Sequence, residues 1–516
     1  MNDLKKRGVV IIDFGSQYTK LIARRIRENL VFSEILPPDS KMDVIMNHSP
    51  AAIILSGGPR SVNDESSPSL NKALLQLDIP ILGICYGLQL LVKEYGCKIE
   101  SEGNGEYGFA TIDIKDKNTL FLGLKDISKV WMSHGDRARH VPRGWDLLAV
   151  SSNGIVAAIA NKEKNRFAVQ FHPEVSHTEN GNLIINNFLF KIAKCLPNWT
   201  PENFIKSKIK AIRKFVGSNK VLVGVSGGVD SSVVAALIKK AVGNRLHAVL
   251  IDHGLMRKNE AEECRKFLKD GLSIEINLYD DSDVFFSKLK GVTNPEKKRK
   301  IIGKQFIDSF ERISNKQDNI KFLAQGTLYP DVIESGVSNG NTAHVIKSHH
   351  NVGGLPKEMK FQLIEPLREL FKDEVRNIGY ELGLDRLLVD RHPFPGPGLG
   401  VRIIGEITPE RVKILQNSDK IYIDLLHDDN LYNDIWQAFA ILVPVKTVGV
   451  MGDQRTYENL IALRAVTSED GMTADWFKMP SKTLQKISSK IINNVKGVNR
   501  VVYDITSKPP GTIEWE

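Results

Sequence analysis

Short apolar runs at 8–14 (GVVIIDF), 51–55 (AAIIL) and 80–84 (PILGI) each lead into a glycine-containing turn. Helix-like stretches at 18–30 and 69–77 separate them. Buried-strand runs alternating with helical periodicity are the pattern of a parallel sheet wound with helices. Runs at 155–160 and 166–171 add strands, and a helix over 182–195 closes the unit. The breaker PNWTP at 197–201 interrupts this pattern, and Thr200-Pro201-Glu202 has the N-cap and first-position proline of a new helix. A second alternation follows, with strands at 221–225 and 246–251 and helices at 231–242 and 259–270. HPFPGPGLG at 392–400 is too dense in breakers for helix or central strand. After it come a helix starting at Thr408-Pro409, apolar strands within 438–450 and the ending KPPGTIEWE. The expected architecture is two parallel-sheet α/β domains, 1–199 and 200–391, followed by a small α+β domain over 392–516.

Composition narrows the class. At 516 residues the chain exceeds one ordinary core, and 42% hydrophobic with 25% charged residues fits a globular protein. No uncharged apolar run approaches the ~20 residues a bilayer helix requires; the longest, 436–445, reads as core. The opening passes straight into a strand, without a signal-peptide apolar region. Cys85, Cys97, Cys195 and Cys264 form no CxxC pair, which fits a reducing compartment, so the expected location is cytoplasmic.

A formal charge of +9 raises the question of nucleic acid. The excess is uneven: 24 Lys and Arg against 21 Asp and Glu in 1–199, 32 against 25 in 200–391, and 14 against 15 in 392–516. These balances are +3, +7 and −1, so the surplus sits in the middle third. Its densest part, Lys297-Lys298-Arg299-Lys300 after Asn294-Pro295, has no aromatic interleaving and belongs to no nucleic-acid motif. Either it is a solvated basic helix or it grips a small anion, the preferred reading because guanidinium forks match phosphate geometry. Neither nucleic acid nor membrane is expected as a partner.

The first third carries a nucleophile pattern. Gly83-Ile84-Cys85-Tyr86-Gly87 joins a strand to a helix, an elbow in which glycines permit a sharp bend and the nucleophile heads the helix. A helix N-terminus favours negative charge and hence a thiolate. FHPE at 171–174 supplies a base: if the strand before it continues, His172 and Glu174 project from one face and the carboxylate orients the imidazole. Ser56-Gly57-Gly58-Pro59 ends the second strand, where backbone N–H groups can face a developing oxyanion. Together these segments resemble the class I glutamine amidotransferases. That resemblance implies Cys85 as nucleophile, His172 as base and acid, Glu174 as its orienter, and Gly58 and Tyr86 as oxyanion donors. Leu88 stands where this family often has Met, a conservative change.

In the middle third, Ser226-Gly227-Gly228-Val229-Asp230-Ser231-Ser232 lies between a strand and a helix. Glycines permit close backbone approach, while hydroxyls and helix N–H groups cradle anionic oxygens. Without GK[ST] it is not a Walker loop; it resembles the PP-loop ATP pyrophosphatases, which implies ATP binding through these seven residues. Ile251-Asp252-His253-Gly254 and Ala324-Gln325-Gly326-Thr327 end later strands and are either further walls of that pocket, Gly326 included, or plain topology. Residues 346–354 (IKSHHNVGG) form another polar loop with a lysine. Asp230 either binds a metal or caps the loop.

An ammonia generator joined to an adenylating domain makes an amine, and the last third selects the acceptor. RHPFPGPGLGVRIIGE at 391–406, VKTVGVMGDQRTY at 445–457 and KPPGTIEWE at 508–516 resemble the glutamine-hydrolysing GMP synthetase family, a likeness that spans the chain. It implies glutamine, ATP and xanthosine 5′-monophosphate (XMP) as substrates, Mg²⁺ with the ATP, and a homodimer built on the last domain. It also implies nucleotide contacts from Arg299 and Lys508, with Ile513 and Glu514 near the purine. A glutamine-dependent NAD synthetase is the rival, but its amidase part resembles a nitrilase and would lack FHPE. A second rival is a nucleotide-sensing or RNA-binding protein that keeps the fold without the activity.

Overall fold

The computed structural model describes residues 6–101, 105–117, 119–315, 320–329, 361–451, 454–468 and 473–516; the polar loop at 346–354 lies outside them. The chain divides into two compact units, Met1–Ser207 and Lys208–Glu516. The division falls within the helix Pro201–Val216.

In the first unit, nine strands among the described residues form one sheet. Their spatial order is Ser33–Leu36, Val9–Ile12, Ala52–Leu55, Ile81–Ile84, Arg166–Val169, Val156–Asn161, Asp146–Ser151, Glu106–Ile114 and Ile127–His134. The first five run parallel. Val9–Ile12, Ala52–Leu55, Ile81–Ile84 and Arg166–Val169 are buried throughout, which is why they read as continuous apolar runs. The last four strands pair antiparallel. Ile127–His134 buries only alternate residues, Ser128, Val130, Met132 and His134, so its signal is weaker. The expected helix at 69–77 is a single 3₁₀ turn, Lys72–Gln76, because the Asn71 side chain accepts from Ala73 N–H and holds the chain in a tight turn.

In the second unit a five-stranded, wholly parallel sheet runs Ile276–Asp280, Leu246–Asp252, Lys220–Gly224, Ile320–Ala324, Gln362–Ile364. The segment after 392 contributes a long antiparallel pair, Gln437–Met451 with Gln454–Thr467, and Val498–Tyr503 alongside the latter. Helices Pro409–Asp428 and Ser481–Asn494 cover it. Thr408 caps the first by accepting from Arg411 N–H, with Pro409 at the first position, as the sequence anticipates. One buried cluster links Leu222, Val249 and Leu323 of the parallel sheet to Leu399, Leu415, Ala440, Leu463 and Ile487.

Candidate active site

Cys85 sits between strand Ile81–Ile84 and helix Tyr86–Glu94 at φ 51°, ψ −103°, a conformation a non-glycine residue rarely holds. Close packing fixes it there. A Cβ on Gly83 would lie 2.6 Å from the Gly87 carbonyl, and one on Gly87 would strike the Leu55 carbonyl. Neither position tolerates a side chain, so both elbow glycines are required. The Cys85 thiol is buried, 3.7 Å from the Ser133 carbonyl, and takes a hydrogen bond from Gln170 Nε2 at 3.6 Å.

His172 Nδ1 lies 2.7 Å from Glu174 Oε1, and both side chains are buried. The geometry differs from the expected strand pleat: the strand ends at Val169, and a turn brings the pair together. That turn is held by Thr178, whose hydroxyl donates to His172 O at 2.6 Å and accepts from Trp131 N–H. Burial pushes the imidazole towards the neutral form, but the Glu174 carboxylate and the Cys85 side chain outweigh it and hold the pKa well above the ordinary value. The Cys85 side chain is among the groups that act on His172, so the two side chains lie near each other. A Cβ on Gly57 would lie 3.3 Å from His172 Cε1, and one on Gly58 3.0 Å from the Tyr86 ring, so the SGGP turn borders the same site. Among the described residues the N–H groups of Gly58 and Tyr86 find no protein acceptor.

Sequence reasoning missed Gln170 and the wall around Ser133. Gln89 Nε2 donates to Asp136 O at 2.9 Å, and buried Glu106 accepts from Ser151, Asn153 and His134. Its hydrogen-bond donors hold the Glu106 carboxyl below the ordinary range against the opposing effect of burial. Gln170 stands two residues before His172, the one local signal available.

In the second unit the PP-loop segment bends after Gly224, with Gly227 at φ 80°. The helix starts at Val229, two residues earlier than the sequence suggests, with Gly228 as its N-cap. Ser231 Oγ accepts from Ser226 N–H at 3.1 Å and donates to Gly228 O, while Ser232 donates to the same carbonyl. Gly326 packs on the helix start, where a Cβ would lie 3.1 Å from that of Asp230. The Asp230 carboxylate accepts from Lys372 Nζ at 2.7 and 2.5 Å. Lys372 opens helix Lys372–Glu381 and carries no motif of its own. His253 is buried against Phe306 and its Nδ1 accepts from Leu255 N–H, so burial pulls its pKa down to about 4.

The basic segment is the start of helix Pro295–Ser314, capped by Asn294. Lys298 is fully buried, so the solvated reading fails for it. Arg299 donates to Glu516 O, and Glu514 receives Arg402 Nε and Nη2 at 3.1 and 2.8 Å. Ile513 is buried among Phe439, Ile441, Ala462 and Val466. Lys508 pairs through its backbone with Ala474. The second unit therefore holds all four candidate nucleotide contacts, with Arg299, Ile513 and Glu514 in packed or hydrogen-bonded positions.

Comparison with known proteins separates the remaining readings. The glutamine amidotransferase class-I family matches residues 10–192, NAD synthase 200–302 and the GMP synthase C-terminal domain 424–515. Three curated proteins named GMP synthase (glutamine-hydrolysing) align over nearly everything. That of Brachyspira hyodysenteriae is 56% identical, covering 98% of this chain and 99% of the relative. Those of Maridesulfovibrio salexigens and Thermosipho africanus are 53% and 54% identical, each covering 98% of this chain and 99% of the relative. The chain belongs to the glutamine-hydrolysing GMP synthases. The NAD synthase match is confined to the PP-loop region, whereas the GMP synthase relatives extend through the C-terminal segment. As a GMP synthase the protein is a ligase that aminates XMP to GMP with glutamine as nitrogen source and ATP as the driving co-substrate.

Proposed function

We propose that Cys85, His172 and Glu174 carry out the glutaminase half-reaction. The Cys85 sulfur attacks the glutamine carboxamide carbon, and Gly58 and Tyr86 N–H groups receive the oxyanion. His172, its pKa raised, holds the thiol proton as the imidazolium and gives it to the departing ammonia; water then releases glutamate from the thioester. What carries this reading is the 2.7 Å His172–Glu174 pair beside a cysteine held at the head of a helix.

Ammonia then serves the PP-loop. The segment Ser226–Ser232, with Gly326, is proposed to hold the phosphates of ATP while XMP O2 attacks the α-phosphorus and displaces pyrophosphate. Ammonia displaces AMP from the adenylated intermediate, giving GMP. Arg299, Lys508, Ile513 and Glu514 are the proposed XMP contacts. Among the described residues no three His, Cys, Asp or Glu side chains group as a metal cage. Mg²⁺ usually arrives on nucleotide phosphates with one or two carboxylates, and Asp230, within Ser226–Ser232, is the candidate carboxylate. Mg²⁺ held there would supply neutralisation of phosphate charge. The chain's own Lys372 does the same for Asp230.

We further propose a cytoplasmic homodimer without nucleic-acid or membrane partners, and functional segments 1–199, 200–391 and 392–516. Val445, Val448, Val450 and Tyr457 are exposed on the long strand pair, which suits a subunit contact. Among the described residues no helix is long and apolar enough to cross a membrane.

Cys85→Ala is expected to abolish glutamine-dependent GMP formation while ammonium salts still support it, with AMP and pyrophosphate as co-products. Loss of both activities, or ADP and phosphate instead, would overturn the two-site scheme.

A further inference from the structure

Three cations, each buried completely, hold residues 504–516. Arg464 donates to Thr506 O at 2.5 Å and Thr512 O at 3.1 Å and pairs with Asp504 at 3.1 Å. Arg402 grips the Glu514 carboxylate with two nitrogens, and Gln437 Nε2 adds a third donor at 2.9 Å. The Arg402 guanidinium lies 4.0 Å above the Phe439 ring, which fixes its plane. Lys298 Nζ donates to Ile403 O at 2.7 Å and to Glu516 Oε2; Glu516 Oε1 accepts from Gly405 N–H at 3.0 Å. Arg299 closes the set on the Glu516 carbonyl.

A buried cation is costly unless it is paired, and the tail supplies a carboxylate for each: Asp504 for Arg464, Glu514 for Arg402 and Glu516 for Lys298. Glu514 and Glu516 are two apart and each meets its own cation, so the intervening chain cannot slip by one residue without breaking both pairs. Ile513 is seated by the same register. Burial pushes the Lys298 ammonium down in pKa, while Glu516 opposes that shift.

We propose that Lys298 and Glu516, with Arg402, form a clamp that positions the tail for XMP, making Lys298, Arg402 and Glu516 positioning residues for nucleotide recognition. The proposal rests on the reading that Ile513 and Glu514 meet XMP. Each carboxylate oxygen has more than one lone-pair site, so Glu514 can accept from Arg402 and still face a purine N–H. The clamp's role is to hold that carboxylate ionised and in place before substrate arrives.

The test uses the full-length enzyme with ammonium as nitrogen donor, comparing Glu516→Gln, Lys298→Met and Glu514→Gln. Glu516→Gln and Lys298→Met are expected to raise the KM for XMP about tenfold or more, because each removes one partner of a buried charge pair. The KM for ATP, the kcat at saturating XMP and the glutaminase rate should stay within about twofold, a split that general destabilisation would not produce. Amide exchange across 504–516 should quicken in both. If Lys298→Met does not fold, Glu516→Gln alone decides. A raised XMP KM in Glu514→Gln with none in Glu516→Gln would overturn the clamp and leave the XMP reading standing. An unchanged XMP KM in both would remove the reading and the clamp with it.

Discussion

Glu174 offers one carboxylate oxygen to His172 and keeps the other, Oε2, buried without a hydrogen-bond partner among the described residues. Its charge is thereby directed at a single imidazole, which agrees with the upward direction of the His172 pKa. Glu174→Gln retains the shape and removes the charge, so glutaminase kcat should fall by roughly 10²–10⁴, as for removal of the orienting carboxylate in other triads. Ammonium-dependent synthesis should persist. The same pair makes a stability prediction with a definite sign. A histidine whose folded pKa is raised contributes fully below its unfolded value, near 6.5, and loses that contribution as pH climbs through the raised value. In thermal unfolding the variant's deficit should therefore be largest below about pH 6.5 and shrink as pH rises above it. Cys85 and His172 were legible in the sequence because a nucleophile and a base declare themselves by residue type and neighbours. Gln170 and Lys372 were not, since an ordinary polar residue gains its meaning only from what the fold sets beside it.

At the level of elements, the elbow is a contact between backbones. Helix Tyr86–Glu94 lies so close to its neighbouring strands that Gly83 and Gly87 have no room for a methyl group. Gly87→Ala should destabilise the first unit by about 1–3 kcal/mol, the usual cost of overpacking. It should also reduce glutaminase activity by more than the loss of folded protein explains, measurable as rate per folded molecule, because Cys85 moves with the helix start. The strands flanking this elbow could be read from the sequence, since burial on both faces leaves an unbroken apolar run. Glu106–Ile114 and Ile127–His134 escaped notice because they expose alternate residues, including Tyr107 and Phe109, and their pattern resembles many surface segments. The His172–Glu174 pair was anticipated on a strand and found on a turn; the spacing survived, but its cause is the Thr178 brace.

For the whole molecule, charge is the property that crosses from sequence to behaviour. The surplus of +7 in 200–391 accompanies the segment proposed to hold two anionic nucleotides. Surface fields of this kind are screened over about 8 Å at physiological ionic strength. Raising salt from about 20 to about 300 mM should increase the KM for XMP and ATP several-fold, while the KM for zwitterionic glutamine shifts by less than about twofold. Equal shifts for all three would remove the electrostatic account. The breaker HPFPGPGLG gives the impression of a hinge between independent pieces, and motif boundaries reinforce it. The interior does not follow that boundary. Leu222, Val249 and Leu323 on one side and Leu415, Ala440 and Leu463 on the other belong to a single apolar cluster. The segment after 391 thus shares one interior with the segment before it. Such a piece cannot be shuffled between proteins as a cassette: any recombination at that boundary would have to bring matching apolar faces from both parents at once.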